Sequence, residues 1–152
     1  MTFPNIFQKD TVDQLVERIN SFDAQTQPQW GKMNASQMLA HVNVAYEMSL
    51  EDIHKKPGAF AKMMIKLFAK APVCGPKPYP KNGRTAPQFL ITNERDFQKE
   101  KDRLIAYLNQ CQDLGENHFD GKESHSFGKL KLDEWNTMFY KHLDHHLTQF
   151  GV

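Results

Sequence analysis

His142 and His146 stand four residues apart in the segment Lys141-His142-Leu143-Asp144-His145-His146-Leu147-Thr148-Gln149-Phe150. On a helix that spacing puts both imidazoles on one face, one turn apart. Two imidazoles so placed can reach a single divalent ion, which then needs at least one further ligand from elsewhere in the fold. His41, far upstream in a second helical stretch, is the candidate.

Helical phase supports this choice. At about 100° per residue, Trp135, Phe139, His146 and Phe150 share the sector of His142, with Met138 beside them and His145 at the margin. Thr137, Lys141, Asp144 and Thr148 fall on the opposite side. His41 lies in the apolar stripe of its own helix beside Met38 and Ala45. Burying three imidazoles is costly unless each finds a partner, and one shared metal ion satisfies all three. The competing reading is a set of core histidines, each bonded to a carbonyl or hydroxyl, with a small gain from the helix dipole for those near the last turn.

The elements that must position these residues read as helices. Residues 10–22 form a first helix, capped by Asp10 or Thr11 and striped by Val12, Leu15, Val16 and Ile19. Asn34-Ala35-Ser36-Gln37 has the form of a capping box and opens a second helix running to about His54, with Met38, His41, Val42, Ala45, Met48 and Ser49 inward. After Pro57-Gly58 a shorter helix covers 59–71. Residues 72–87 hold five prolines and two glycines, the composition of a loop. Gln88-Phe89-Leu90-Ile91-Thr92 is the best strand candidate. Thr92 or Asn93 caps a third long helix with Phe97, Leu104, Tyr107, Leu108 and Cys111 inward; residues 114–129 read as loop, and 132–150 as the final helix. The expected fold is all-α: a four-helix bundle with an extra short helix and a proline-rich loop between the second and third long helices, in one domain over residues 1–152.

Composition excludes several function classes. Nineteen basic and eighteen acidic residues give a net charge of +1, which offers no electrostatic footprint for nucleic acid. No apolar run approaches the ~20 residues that span a bilayer, and Met1-Thr2-Phe3-Pro4-Asn5 does not read as a secretory leader. Cys74 and Cys111 are isolated, which suits a reducing cytoplasm and makes neither a needed nucleophile.

The segment His142-Leu143-Asp144-His145-His146-Leu147-Thr148-Gln149 resembles the end of DinB/YfiT-like proteins, whose last helix carries a similar HxxxHH motif near a glutamine. The segment from Trp30-Gly31-Lys32-Met33 through Asn34-Ala35-Ser36-Gln37-Met38-Leu39-Ala40 to His41 is similar to the ligand-bearing start of their second helix. The resemblance extends to an uncharacterised branch of that superfamily through Gly128-Lys129-Leu130, Glu134-Trp135 and the terminal Gln149-Phe150-Gly151-Val152. It covers essentially the whole chain. One departure is that the family's His-Pro-Phe loop here reads His125-Ser126-Phe127-Gly128, without the proline. The resemblance implies a four-helix bundle with a three-histidine metal site whose ligands carry over as His41, His142 and His146. It also implies chemistry of the thiol-dependent transferases in that superfamily, acting with low-molecular-weight thiols.

Three imidazoles that leave a coordination position open are the arrangement of a catalytic site, where an ion brings the pKa of a water or thiol toward neutrality. Zinc, nickel and ferrous iron all accept imidazole. The expected function is that of a metal-dependent enzyme activating a thiol or water on a small molecule, a thiol S-transferase as the resemblance implies or a hydrolase; the alternative is a non-catalytic stress-response or small-molecule-binding bundle. Gln37 and Gln149 each lie within a turn of a ligand and read either as orienting groups or as a cap and a solvated helix end. His118 and His125 read as surface residues. Lys62, Lys66 and Lys70 oppose Phe60, Met63, Met64, Leu67 and Phe68. That pattern suits a solvated lysine face with the apolar face packed on the bundle or on a second subunit of a homodimer, and less well a membrane-surface helix. Lys77, Lys81 and Arg84 read as solubilising charge rather than an anion site.

Overall fold

A computed structural model describes residues 2–152. Its chain order is α1 (Lys9–Asn20), α2 (Ala35–Leu50), α3 (Ala59–Cys74), a 3-10 turn (Pro87–Phe89), α4 (Phe97–Phe119), β1 (Glu123–Ser124), β2 (Gly128–Lys129) and α5 (Leu132–Gln149). The molecule is mostly helical. Among the described residues no helix is long and apolar enough to cross a membrane.

Local chemistry explains most helix ends. The Asn34 side chain accepts from the Gln37 amide at 2.9 Å, and the Gln37 side chain accepts from the Asn34 amide at 3.1 Å. This closed capping box satisfies two amides that have no partner inside the helix. Helix α2 stops at Leu50, short of the expected His54, because Glu51 turns extended at φ −121°. Helix α1 starts one residue before Asp10, after Gln8, whose side chain makes no capping bond. Thr92 and Asn93 do not cap α4; Asp96 does, its carboxylate accepting from the Lys99 amide at 2.8 Å. The stretch expected as loop after Leu114 is instead helical to Phe119, across a glycine kink at Gly115 (φ 70°), and is followed by the short β1–β2 hairpin. The strand expected at 88–92 is not formed. Pro87–Phe89 makes a 3-10 turn, consistent with proline's fixed φ at the first position.

Helix α2 packs on α4 and α5, α1 packs on α4, and α3 lies against α5. Leu15, Ile19, Met38, Val42, Leu104, Leu108, Trp135, Phe139 and Leu143 are all buried in one core. Tyr46 stacks on Phe139 at 4.9 Å between centroids, and Phe119 meets Trp135 edge-on at 5.5 Å. Burial of each such side chain contributes about 1.5–3 kcal/mol. Helix α2 is buried over nearly all its surface from Met38 to Glu47, not along a stripe alone.

The solvent side assigned to α5 is reversed, and of the two packings expected for the apolar face of α3 the one on its own bundle is not formed. Lys141 and Thr137, assigned to the solvent side of α5, are buried, because α3 covers that side. Helix α3 turns lysines toward the body: Lys62 pairs with Glu123, and Lys70 with Glu134 at 2.8 Å. Its large apolar residues face outward.

Candidate metal centre

Helix α2 brings His41, and α5 brings His142 and His146, to one point. Their ligating nitrogens all lie within 4.8 Å of one another. His41 and His146 are buried and His142 is half-buried. His41 Nε2 and His142 Nε2 are 3.0 Å apart. The rings of His41 and His146 meet at 4.6 Å between centroids, and those of His142 and His146 at 4.9 Å.

Two of the three outer nitrogens are spoken for. His41 Nδ1 donates to the carbonyl of Phe89 at 2.8 Å, and His146 Nδ1 donates to Gln149 Oε1 at 2.8 Å, with protons assigned from these partners. A proton fixed on Nδ1 leaves the Nε2 lone pair of each ring free. Gln149 is fixed in turn, its Nε2 donating to the carbonyl of Trp30 at 2.6 Å. Gly31 has φ +88°, and a Cβ there would lie 2.4 Å from Gln149 Nε2, so this close approach requires glycine. Gln149 therefore ties the Trp30-Gly31 turn to a histidine. Gln37, by contrast, serves only the cap of α2 and a long bond to the Asn93 carbonyl at 3.4 Å.

Electrostatics keep the rings neutral. Burial holds His41 below its ordinary value, partly opposed by the Phe89 carbonyl. Burial, then His41, pushes His146 down to about 3, and burial with three neighbouring imidazoles holds His142 well below the usual range. Three neutral imidazoles are the protonation state that a divalent ion requires. The donor set thus fits a borderline transition metal: three neutral imidazole nitrogens, two of them oriented, with no fourth His, Cys, Asp or Glu in the group among the described residues.

The surroundings were partly missed by sequence. The Phe89 ring lies 5.4 Å from His41 and 5.8 Å from His142, and Tyr79 lies 6.3 Å from His142. Lys141, the residue before His142, anchors that cover. Its Nζ donates to the carbonyls of Pro72 at 2.8 Å, Gly75 at 2.6 Å and Lys77 at 3.2 Å, at the end of α3. The only signal in the sequence was the run of prolines, which leaves carbonyls without matching amides. An open surface cavity of about 250 Å³ is bordered by Trp30, Tyr79, Lys81 and His145, and none of the three clustered histidines lines it. His145 packs on His146 at 5.1 Å without joining the group.

The other histidines lie elsewhere. His54 bonds Glu47 at 2.6 Å and His118 accepts from Lys122 at 2.7 Å; His125, expected at the surface, is buried in the hairpin and bonds Ser126 at 2.8 Å. Burial pushes the thiols of Cys74 and Cys111 up to about 12, so neither offers a thiolate near neutral pH.

No curated protein and no solved structure matches the chain. A family model described as a protein of unknown function, DUF1569, matches residues 4–151, and the chain therefore belongs to that family.

Proposed function

We propose that His41, His142 and His146 hold one divalent transition metal ion (zinc, nickel or ferrous iron) and that the protein is a metal-dependent enzyme activating a thiol or a water molecule. The frame would be a DinB/YfiT-like four-helix bundle of α1, α2, α4 and α5 in one domain. The reading rests on the convergence of three neutral imidazoles with two outer nitrogens already fixed by Phe89 and Gln149. When bound, the ion supplies Lewis acidity that brings an added thiol or water toward its ionised form.

The chain's own residues do the rest. His41 and His146 present oriented lone pairs. In the metal-free protein His142 is the ring that donates, through Nε2 toward His41 Nε2, so His142 must move its proton to Nδ1 to become a ligand. Phe89 and Tyr79 exclude water from one side. Thiol transfer is the leading reaction by family resemblance. The buried, unpaired cysteines support a reducing compartment such as the cytoplasm.

The test is elemental mass spectrometry on untagged protein, followed by turnover of an electrophilic acceptor with and without low-molecular-weight thiols. About one metal ion per chain and thiol-dependent turnover support the transferase. Turnover without thiol assigns a hydrolase. A bound metal with neither activity leaves a binding protein, and no metal after incubation with zinc, nickel and ferrous iron overturns the centre.

A further inference from the structure

Helix α3 is amphipathic in the reverse sense from a helix that packs on its own fold. Phe60 is 74% exposed, Leu67 69%, Phe68 68%, Met63 56% and Met64 36%. Together they form a seam at i, i+3, i+4, i+7 and i+8, the spacing by which one helix packs along another. The orientation is pinned from the other side: Lys62 and Lys70 pair with Glu123 and Glu134 across the inner edge. Rotating the seam inward would break both pairs.

We infer that this face pairs with a second copy of the chain, α3 against α3, about a two-fold axis. Three observations favour this occupant over a lipid surface or an unrelated partner. The first is area. Taking about 200 Å² for each large side chain, these five expose on the order of 600 Å² per copy, at the top of the range tolerated on monomers. Two copies together would remove on the order of 1,200 Å², where specific interfaces begin. The second is charge. With Lys62 and Lys70 neutralised by glutamates, Lys66 is the one lysine of α3 without an ion pair among the described residues. That is too little positive charge to hold an anionic membrane, where several cations act together. It also leaves no strong like-charge repulsion across an axis. The third is internal symmetry. Phe60 and Phe68 stand four residues either side of Met64. An antiparallel pair crossing near Met64 sets ring against ring at both ends and methionines, which adapt to irregular gaps, at the centre.

The test is the solution mass of the full chain by light scattering on a sizing column, for wild type, Leu67→Glu and Met64→Cys. Wild type should run at about twice the 17.6 kDa chain mass, and Leu67→Glu at the chain mass. Leu67 is exposed, so its replacement should leave the helical circular dichroism unchanged. Met64→Cys, close to the axis, should give a disulfide-linked dimer on mild oxidation that wild type does not form, since Cys74 and Cys111 are buried. A monomeric wild type, or a Leu67→Glu variant that stays dimeric, overturns the proposal. So does a wild type that sediments with anionic vesicles while Leu67→Glu does not, which assigns the face to lipid. Metal content of the same samples reports on the histidine centre independently, because α3 contributes none of its ligands.

Discussion

Toward α4, helix α2 presents Asn43 and Glu47; toward α5 it presents His41. Both sets are buried and polar, but they meet opposite company. Asn43 donates to the Glu100 carboxylate at 2.9 Å, Arg103 reaches Glu100 at 2.8 Å and also Glu47, and His54 closes on Glu47 at 2.6 Å. Each charge there has an opposite charge or a donor within the protein, and Asn43 Oδ1 is the one buried atom of the group without a partner. His41 meets two more imidazoles and no carboxylate. The three like groups share one bond, from His142 to His41, which leaves His146 Nε2 without a donor, and their ligating nitrogens converge within 4.8 Å of one another. A polar network whose charges are paired reads as architecture. A convergent, incomplete one reads as a place for a ligand.

The largest effect expected to sharpen that contrast is on metal content. His41→Ala, His142→Ala and His146→Ala should each lose stoichiometric metal, while Arg103→Ala keeps it. Wild-type metal in any of the three histidine variants would break the assignment of that ligand.

Next is the pH response of the metal-free protein. His146 sits at about 3 in the folded state against an ordinary 6.5, and His41 and His142 are also lowered. The unfolded chain therefore binds more protons below pH 6.5, and stability must fall as pH drops through that window. Each imidazole protonated only on unfolding contributes a slope approaching about 1.4 kcal/mol per pH unit. Urea unfolding of chelator-treated protein between about pH 7 and 5, above most carboxylate titration, should show this slope. Saturating metal should oppose the loss, and a flat profile would contradict the buried neutral cluster.

On the other side of α2, Arg103→Ala leaves Glu47 with His54 and Glu100 with Asn43 and a distant Arg95, and should cost about 2–3 kcal/mol, below the range for a buried charge left wholly unpaired. Unfolding at wild-type denaturant concentrations would show that this network is not what holds α2 to α4. The smallest effect expected is for Gln149→Ala, which removes the acceptor of His146 Nδ1. Metal affinity should fall by about 10–100-fold, read by competition with a chromophoric chelator, as for other groups that orient a ligand. Unchanged affinity would reduce Gln149 to a clamp on Trp30.

Much of the site was legible before any coordinates. The four-residue step from His142 to His146, the phase of His41 beside Met38, and the Asn34–Gln37 box are local patterns, and the helix alone carries them. Less legible was everything lent by another segment. The Phe89 carbonyl reaches His41 because residues 87–89 turn instead of extending. Lys141 was placed in solvent by its angle on α5, but its ammonium caps the carbonyls left by a proline-rich segment that α3 delivers to the same spot. The apolar face of α3 was expected to pack on the fold or on a second copy, and two ion pairs turn it outward.

By itself, then, the sequence determined which residues share a helix face and where α2 begins, because backbone geometry and capping act over three or four residues. Only the tertiary structure decided that His41 meets His142 and His146, that Phe89 fixes the outer nitrogen of His41, that the Trp30 carbonyl holds Gln149, and that a lysine beside them is buried. Those outcomes depend on which helix lies against which, and that is settled by packing between segments far apart in the chain.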